Sequence, residues 1–252
     1  MKLPVISIIT VTYNAGNCLE KTIQSILSQT YPQIEYIIID GASKDHTPEI
    51  LQQYESGISY WESKPDKGLY DAMNKGIAKA TGDYIWFINA GDTLYSKDTV
   101  QQLINSLPDK EALPGVIYGE TAIVDGEGTF IRMRRLKAPD SLTWKDFRKG
   151  MLVCHQSFLS KREIAPLYDP QYKLAADFDW CIRCLKKSTY NHNTHLILSN
   201  FTDEGLSSKN RKASLEERYH IMCKYYGKVS TSLCHIWFAI RLYTAKWVKG
   251  RV

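Results

Sequence analysis

The residues best suited to chemistry lie in a polar turn, Asn89-Ala90-Gly91-Asp92, directly after the apolar run YIWFI of residues 84–88. A short run rich in strand formers is typical of a buried strand in a parallel sheet. In open α/β sheets, ligands bind beyond the carboxyl ends of the strands, where this turn would lie. Asp92 could then hold a divalent cation against a phosphate, because hard cations take oxygen ligands. The alternative is a strand that leads into an ordinary Asp-containing loop.

Polar residues at two places in the second half are further candidates. Asp177 stands in the acidic turn ADFDW of residues 176–180, which leads into a predicted helix. Taken alone, it is best explained as an N-cap, because Asp is common at helix starts. His155 and Gln156 form the polar centre of LVCHQSFL, residues 152–159, which predicts a strand. They are either a hydrogen-bonded pair at a strand end or groups that contact a substrate.

The elements that position these residues follow an alternating pattern. Apolar runs at residues 5–11, 36–39, 58–61 and 84–88 predict four strands, and helical patterns separate them. Such alternation indicates a parallel sheet with helices on its faces. No GxGxxG follows the first strand, so a nicotinamide-dependent enzyme is disfavoured.

The loops after the first two predicted strands offer Tyr13, Asn14 and Asp40. A flat ring there can stack on a base, and the oxygen atoms can accept hydrogen bonds from a base or ribose. These two loops therefore predict a nucleotide site at the same sheet edge as the polar turn of residues 89–92.

The second half of the chain is less regular. Runs at residues 116–118, 121–124 and 129–133 predict strands, and the last two flank DGEG, a hairpin signal. Residues 200–210 are polar and predict a mobile loop, and helical patterns follow at residues 212–226 and 231–249.

Length and cysteine content restrict the class of protein. A chain of 252 residues fits one large α/β domain or a domain with a small appendage. Its six cysteines are scattered within apolar patterns, which is typical of reduced thiols in a cytosolic protein. Cys181 and Cys184 form a CxxC on a predicted helix without a second pair, which argues against zinc. We expect neither a signal peptide nor a membrane-spanning helix.

Charge is distributed unevenly. Residues 209–252 contain ten Lys/Arg and two Asp/Glu, a net charge of +8, whereas the remainder carries −3. A basic tail on a mildly acidic body predicts an anionic partner. Since no nucleic-acid motif accompanies it, a membrane surface is favoured. The last predicted helix either packs on the body or binds a membrane interface; its apolar face and nearby basic residues are Leu233, Ile236, Trp237, Ile240, Thr244, Trp247, Arg241, Lys246, Lys249 and Arg251.

Six segments, in order, resemble family 2 glycosyltransferases, the inverting enzymes with the GT-A fold, and most closely the bacterial colanic-acid and capsule type. They cover roughly residues 5–185. The segments are SIITVTYN (7–14), IIDGASKDHT (38–47), KPDKGLYDAMNKGI (64–77), GDYIWFINAGD (82–92), CHQSFL (154–159) and AADFDWCIR (175–183).

The resemblance implies a Rossmann-like, mostly parallel α/β sheet flanked by helices, with a C-terminal helical extension. Residues 1–200 would form the GT-A domain, with a nucleotide-binding half over about 1–95 and an acceptor half over about 96–200. Residues 201–252 would form the mobile loop and the C-terminal helices.

The resemblance also implies site residues for a nucleotide-diphosphate sugar donor, most simply a UDP-sugar. Asp177 would be the catalytic base, and Asp92 would bind Mn²⁺ or Mg²⁺. His155 and Gln156 would lie near the donor sugar or the acceptor. The residues expected along the nucleotide and its sugar are Val11, Tyr13, Asn14, Asp40, Asp66, Gly68, Asn74, Asn89, Ala90, Gly91 and Asp92.

The chain departs from the family pattern at four positions. Gly41 replaces a second acid that often contacts the base, and Asn89 or Gly91 stands where many members carry an acid. Ala176 stands where a Glu often precedes the base. An alternative function is therefore a catalytically weak nucleotide-binding protein within a glycan-assembly complex.

An active enzyme would build a surface polysaccharide on a glycan or a lipid-diphosphate-linked acceptor. We expect it in the cytoplasm, either free or peripheral on the inner face of the cytoplasmic membrane.

Overall fold

The computed structural model describes residues 3–109, 112–202 and 210–249, without the side chains of residues 211 and 239–249. Its described residues form a mixed α/β structure around a sheet with the order β3-β2-β1-β4-β8-β6-β9-β5, with β7 beside β6. The strands are β1 Ile6–Thr12, β2 Ile34–Asp40, β3 Tyr60–Ser63, β4 Tyr84–Phe87, β5 Thr93–Leu94, β6 Val116–Val124, β7 Phe130–Met133, β8 Phe158–Lys161 and β9 Asn191–Thr202. The helices are α1 Gly16–Leu27, α2 Thr47–Gln53, α3 Leu69–Lys79, α4 Thr99–Asn105, α5 Ala176–Lys187, α6 Arg211–Tyr226 and α7 Lys228–Lys249.

The first four strands are parallel, as their alternation with helices predicts. β1 pairs with β2 over seven residues, from Ile6 opposite Ile34 to Thr12 opposite Asp40. β4 lies on the other side of β1, and β3 lies beyond β2. Their carboxyl ends therefore meet at one edge of the sheet, where the candidate polar loops begin.

The second half of the sheet is mixed. β8 is antiparallel to both β4 and β6, whereas β6 and β9 form a long parallel ladder. The predicted hairpin is confirmed, because β7 is antiparallel to β6. The two longest ladders, β1 with β2 and β6 with β9, are parallel.

The strand predicted over residues 152–159 is wrong in its first part. Residues His155–Ser157 form a 3₁₀ turn, and β8 begins only at Phe158. The turn is closed by a hydrogen bond from Ser157 N to Cys154 O of 2.9 Å. It lets the polar side chains of His155 and Gln156 reach partners in different parts of the chain, Tyr168 and Asp92.

Two apolar layers enclose the sheet. On one face, α1, α2 and α4 contribute buried side chains such as Leu19, Leu51 and Leu103. The opposite face is covered by α3, α5 and α6, which carry the predicted site residues Asn74 and Asp177. Burial of both faces explains why the strands of residues 5–11 and 36–39 are continuously apolar.

The C-terminal extension is attached to the body through polar and apolar contacts. Asp179 of α5 is fully buried and accepts hydrogen bonds from Arg183 Nε at 2.6 Å and Tyr225 Oη at 2.7 Å. Lys224 Nζ lies 3.4 Å from the same carboxylate. Gly227, with φ of +80°, separates α6 from α7. The two predicted C-terminal helices are thus present, with bounds extended by one and three residues at their starts.

Two alternatives were predicted for helix α7, packing on the body or exposing an apolar face that could bind a membrane interface, and it shows features of both. Cys234 and Phe238 pack against the core, whereas Leu233, Ile236 and Trp237 are more than half exposed. The other residues predicted on this helix, Ile240, Thr244, Trp247, Arg241, Lys246 and Lys249, lie outside the described side chains, and Arg251 lies outside the described residues. Of the predicted mobile loop, residues 200–202 belong to β9, and residues 203–209 lie outside the described residues.

Among the helices of the described ranges, none combines the length and the apolar character that crossing a bilayer requires.

Candidate active site

The turn of residues 89–92 lies beyond the carboxyl end of β4, and α1 holds it in place. Its backbone closes through a 2.9 Å hydrogen bond from Asp92 N to Asn89 O. Thr22 Oγ1 accepts from Gly91 N at 3.0 Å and donates to Asp92 O at 2.8 Å. Gly91 has φ of +97°, a conformation that other residues adopt only with strain. This turn therefore favours a glycine at position 91 over any residue with a side chain.

Asp92 is a buried carboxylate with two hydrogen-bond donors. Gln156 Nε2 donates to Oδ2 at 2.8 Å, and Thr202 N donates to Oδ1 at 3.2 Å. Burial raises the pKa of Asp92 from 3.8 to about 7, and these two hydrogen bonds oppose the shift only in part. None of the described groups that shift this pKa is positively charged, so the ionised form has no cationic partner here.

The donor atoms of this turn fit a hard divalent cation. Asn89 Oδ1 is buried and accepts no hydrogen bond from the described residues. It adds an amide oxygen to the carboxylate of Asp92 within one short turn. Within the described ranges, no three His, Cys, Asp or Glu side chains converge as a complete metal cage. Mg²⁺-type sites commonly use one or two carboxylates and take their other ligands from water and substrate phosphates.

Asp40 organises the loop after β2. It is fully buried, and its Oδ2 accepts hydrogen bonds from Ser43 N at 3.0 Å and Ser63 Oγ at 2.6 Å. Its Oδ1 accepts a short hydrogen bond from Ser43 Oγ. The carboxylate therefore holds the loop of residues 41–45 against the end of β3, at the sheet edge predicted to bind the base.

Tyr13, Gly41 and Asp66 come together at this edge. A Cβ atom added to Gly41 would lie 2.6 Å from Asp66 Oδ2 and 3.3 Å from Tyr13 Cδ2. The space that an acidic side chain at position 41 would need is thus taken by the Asp66 carboxylate. The Tyr13 side chain is 63% exposed, which leaves a ring available for stacking.

Three other residues predicted to bind the nucleotide-sugar donor mainly take part in backbone hydrogen bonds. Asn14, with φ of 48°, accepts from Lys44 N through Oδ1 at 2.8 Å. Val11 is a buried core residue, and its carbonyl accepts from Ala90 N at 3.3 Å. Gly68, with φ of +112°, stands directly before α3, and its N–H donates to Asp66 Oδ1 at 2.8 Å. These residues surround the site through their backbones.

Asn74 forms a two-way contact with the backbone of Tyr168. Its Nδ2 donates to Tyr168 O at 3.0 Å, and its Oδ1 accepts from Tyr168 N at 2.6 Å. Both polar atoms of the side chain are therefore engaged within the protein. Asn74 fixes the segment that carries the Tyr168 ring, and its predicted contact with the nucleotide or sugar stays a prediction.

Asp177 occupies the first turn of α5 but is not its N-cap. The N-cap is Ala175, so the structural explanation favoured by the sequence alone does not describe this residue. Its Oδ1 accepts from Phe178 N at 2.9 Å and from Tyr70 Oη at 3.4 Å. Both described hydrogen bonds go to one oxygen, which leaves Oδ2 as the atom available to a substrate.

His155 and Gln156 are buried between these two acids. His155 stacks on Phe87 at a centroid distance of 5.2 Å, and its Nε2 lies 2.6 Å from Tyr168 Oη. Burial lowers the pKa of His155 to about 4, although the charge of Asp177 acts in the opposite direction. His155 is thus neutral near pH 7. The prediction of a hydrogen-bonded polar pair describes both residues, since Gln156 donates to Asp92.

A continuous series of contacts connects the two candidate acids. Gln156 binds Asp92, its neighbour His155 contacts Tyr168 Oη, and the Tyr168 ring stacks on Tyr70 at 5.3 Å. Tyr70 in turn donates to Asp177. The two acids are therefore connected through the 3₁₀ turn that begins at His155.

Several residues that hold the candidate site residues in place were not predicted from the sequence. Thr22, Thr202 and Tyr168 are distant from the predicted motifs, and single Thr or Tyr residues carry no local signal. Tyr70 lies inside the segment KPDKGLYDAMNKGI, but its apolar spacing indicates only a core residue. Glu217 of α6 binds the chain just before α5, and nothing in its surroundings marks it among the other acids.

Comparisons with known proteins identify the family of the chain. A family model described as glycosyl transferase family 2 matches residues 7–165. An uncharacterized glycosyltransferase of Mycobacterium tuberculosis is 35% identical over 185 residues, covering 71% of this chain and 68% of that protein. The Bacillus subtilis protein TuaG, named for teichuronic acid biosynthesis, is 28% identical over 235 residues, covering 87% of this chain and 91% of that protein.

The fold has a match among solved structures. A crystal structure of Staphylococcus aureus TarS in complex with UDP-GlcNAc superposes with a TM-score of 0.70 at 17% identity. The match covers 86% of this chain but 64% of the TarS chain. At this identity the likeness concerns the fold alone, and it agrees with the α/β class expected from the strand and helix pattern.

Proposed function

This chain belongs to glycosyl transferase family 2, and on that premise we propose that it is an inverting, metal-assisted glycosyltransferase. Its donor is a nucleotide-diphosphate sugar, specifically a UDP-sugar. Its acceptor is a hydroxyl of a glycan or of a lipid-linked saccharide in surface polysaccharide biosynthesis. The observation that carries the proposal is the series of contacts from Asp92 to Asp177, which ties a cation-binding acid to a base.

The donor assignment is supported by the edge formed by β1, β2 and β4. The exposed Tyr13 ring offers a surface for the base, and Asp66 beside Gly41 offers a carboxylate for its polar edge. Asp40 holds the loop of residues 41–45 against the end of β3 through its hydrogen bonds with Ser43 and Ser63. Uridine is the base we choose, and the UDP-GlcNAc bound by the structurally similar TarS supports it.

A divalent cation, Mn²⁺ or Mg²⁺, would be held by Asp92, with Asn89 Oδ1 as a second oxygen ligand. The burial of Asp92 without a positively charged partner among the described residues supports this assignment. When bound, such a cation neutralises the charge that develops on the departing diphosphate. The protein's own contribution is to fix the carboxylate, through Gln156 Nε2 and Thr202 N, so that it faces the site without rotating.

Transfer is a single displacement. Asp177 Oδ2 takes the proton of the acceptor hydroxyl while that oxygen forms a bond to the anomeric carbon. The bond from this carbon to the diphosphate oxygen breaks, and its electron pair leaves with the diphosphate. Attack opposite the leaving group inverts the configuration. Tyr70 Oη and Phe178 N hold Oδ1 and thereby orient Oδ2.

The alternative, a catalytically weak nucleotide-binding protein in a glycan-assembly complex, is favoured by one observation. Asp92 is the single carboxylate of the turn of residues 89–92. A retained base argues for the enzyme, since a protein that only binds nucleotide has no use for an oriented carboxylate at position 177.

A two-stage experiment tests the proposal. Melting temperatures are measured with UDP, GDP and other nucleoside diphosphates, each with and without Mn²⁺, because a ligand of the folded state raises the melting temperature. Transfer from the donors that bind is then assayed with the wild type and Asp177→Asn. A Mn²⁺-dependent shift with UDP and a loss of transfer in Asp177→Asn are expected. A shift without transfer from any donor would favour the non-catalytic alternative, and a shift with GDP alone would overturn the choice of uridine.

The setting of the reaction also belongs to the proposal. The named function of TuaG in teichuronic acid biosynthesis and the +8 charge of residues 209–252 support a cell-envelope glycan assembled at a membrane. The protein would act in the cytoplasm, peripheral on the inner face of the cytoplasmic membrane.

A further inference from the structure

We propose that the start of α7 and the 3₁₀ segment Trp144–Lys149 form one docking face for a bilayer that contains anionic phospholipid. The two elements lie together because Tyr226 Oη, at the end of α6, donates to Trp144 O and the two rings stack at 5.7 Å. A groove of about 850 Å³ runs between them. This docking face rests on the peripheral membrane location in the proposed function and assigns that location to named residues, but its test requires no sugar donor.

An apolar stripe forms the first part of the docking face. Val229, Leu233 and Trp237 are spaced by four residues and line the groove. Their exposed fractions are 78%, 62% and 52%, and that of neighbouring Ile236 is 57%. Cys234 and Phe238 of the same helix also line the groove and pack against the core. The helix is therefore anchored by these two residues and leaves four large apolar side chains toward solvent.

Basic residues form the second part. Arg148, Lys149 and Lys228 line the groove, and no Asp or Glu is among its described lining residues. Arg148 and Lys149 belong to the body of the protein and not to the basic tail, so the tail's charge count does not include them. Exposed Leu and Trp beside Lys and Arg is the composition of a helix that lies in a membrane interface.

Charge decides between a bilayer and a second copy of the chain as the occupant. In a symmetric dimer the same face would meet itself, which would bring two sets of Arg148, Lys149 and Lys228 together. Within this face Asp146 Oδ1 lies 4.0 Å from Lys149 Nζ, so one acid offsets only one of the three basic residues. Phospholipid head groups such as phosphatidylglycerol would supply the remaining negative charge. The bilayer is therefore the occupant that satisfies both the apolar stripe and the basic rim.

The docking face is connected to the catalytic helix. Phe147, in the middle of the 3₁₀ segment, is buried and contacts Phe178 at a centroid distance of 5.5 Å. Phe178 directly follows the proposed base, Asp177. A membrane-bound docking face would therefore hold α5 at a defined position relative to the lipid surface, which suits an acceptor carried by a lipid.

The test measures binding of the full chain to vesicles of phosphatidylcholine with and without phosphatidylglycerol, by co-sedimentation. Binding is expected only with phosphatidylglycerol, and it should weaken with added salt. Arg148→Gln/Lys149→Gln should lower the partition coefficient about twenty-fivefold, from about fivefold per basic residue. Leu233→Ser/Trp237→Ser should lower it about tenfold or more through lost apolar burial.

The matched control is Lys21→Gln/Lys97→Gln, which removes one exposed lysine within α1 and one just before α4, on the other face of the sheet. It should bind like the wild type, and equal melting temperatures should show that every variant is folded. The proposal is overturned by equal binding to both vesicle types, by no binding, or by an equal loss in control and rim variants. It is also overturned by a concentration-dependent dimer that Leu233→Ser/Trp237→Ser dissolves.

Discussion

The carboxylate of Glu217, on α6, accepts the backbone N–H of Ala175, two residues before Asp177. The same carboxylate accepts the N–H groups of Lys173 at 2.7 Å and Leu174 at 2.7 Å, so three consecutive amides converge on one side chain. This segment is the entry to α5. A side chain of the C-terminal extension thus fixes the start of the helix that carries the proposed base.

Replacing Glu217 should therefore impair the chemical step more than donor binding. Glu217→Ala frees three amides and lets the first turn of α5 shift, and a displacement of about 1 Å can cost about a hundredfold in rate. We expect kcat to fall about tenfold to a hundredfold while KM for the donor changes little. Glu217→Gln should recover part of the rate, because its amide oxygen can still accept hydrogen bonds.

Steady-state kinetics of the variants at saturating acceptor provide the measurement. Glu216→Ala is the control, since it removes the neighbouring exposed acid of the same helix. If Glu217→Ala raised the donor KM and left kcat unchanged, the positioning of Asp177 by Glu217 would be wrong.

Asp177→Asn should separate binding from catalysis. The amide is isosteric and can keep the contact with Phe178 N, but it cannot accept the acceptor's proton. Removal of a general base costs about 10²- to 10⁴-fold in rate. The rise in melting temperature with UDP and Mn²⁺ should be unchanged, as measured by differential scanning fluorimetry beside a transfer assay. Transfer at the wild-type rate would exclude Asp177 as the base.

Asp92 should make cation binding depend on pH near neutrality. Its folded-state pKa of about 7 lies above the unfolded value, so the folded protein binds this proton more tightly. Without cation, the Asp92 contribution to stability therefore falls as pH rises from about 4 to about 7. A cation must displace the proton below pH 7, so its affinity should fall by up to about tenfold per pH unit there.

Melting temperatures with and without Mn²⁺ between pH 5 and pH 8, in the presence of UDP, test this dependence. The Mn²⁺-dependent rise should shrink toward pH 5 and be small at every pH in Asp92→Asn. Asp140→Asn, which removes a carboxyl that is 96% exposed, is the control and should behave like the wild type. A Mn²⁺ effect that persists in Asp92→Asn would move the cation site elsewhere.

Gly41→Ala should weaken donor binding. The added Cβ would lie 2.6 Å from Asp66 Oδ2, so the Asp66 carboxylate must move away from its present position beside Tyr13. The loss of one such polar contact is worth about 1 kcal/mol, or about fivefold in the donor Kd. Gly126→Ala is the control because a Cβ there meets nothing within 4 Å. Titration calorimetry with UDP measures both, and equal affinities would show that Asp66 does not contact the nucleotide.

The sheet edge and its loops are predictable because their signals are local. Four buried runs and the rule for parallel strands place the turn of residues 89–92 and the loops of Tyr13 and Asp40 at one edge. The partners of Asp92 are not predictable in this way. Thr22, Gln156 and Thr202 are 70, 64 and 110 residues away, and a single Thr or Gln has no periodic pattern.

The largest error concerns residues 152–157. Apolar runs on both sides of a polar centre favour a strand there, but residues 155–157 form a 3₁₀ turn in which His155 and Gln156 have hydrogen-bond partners. Asp177 is a second case in which the local pattern misleads. The pattern favours Asp177 as the N-cap of the helix, but the N-cap is Ala175. Three further points stay predictions: the division of the chain into parts at residues 95 and 200, the nucleotide contacts and the metal ligands.

The hydrogen bond from Thr202 to Asp92 also joins two parts of the chain that are synthesised far apart in time. The turn of residues 89–92 leaves the ribosome early, but its carboxylate has all its described donors only after β9 has emerged, 110 positions later. The segment just before Asp177 gains its hydrogen bonds to Glu217 only after α6 has been synthesised. Donor side and acceptor side are thus completed in sequence as the nascent chain lengthens. A chain truncated before α6 would therefore lack the Glu217 carboxylate that holds the start of α5.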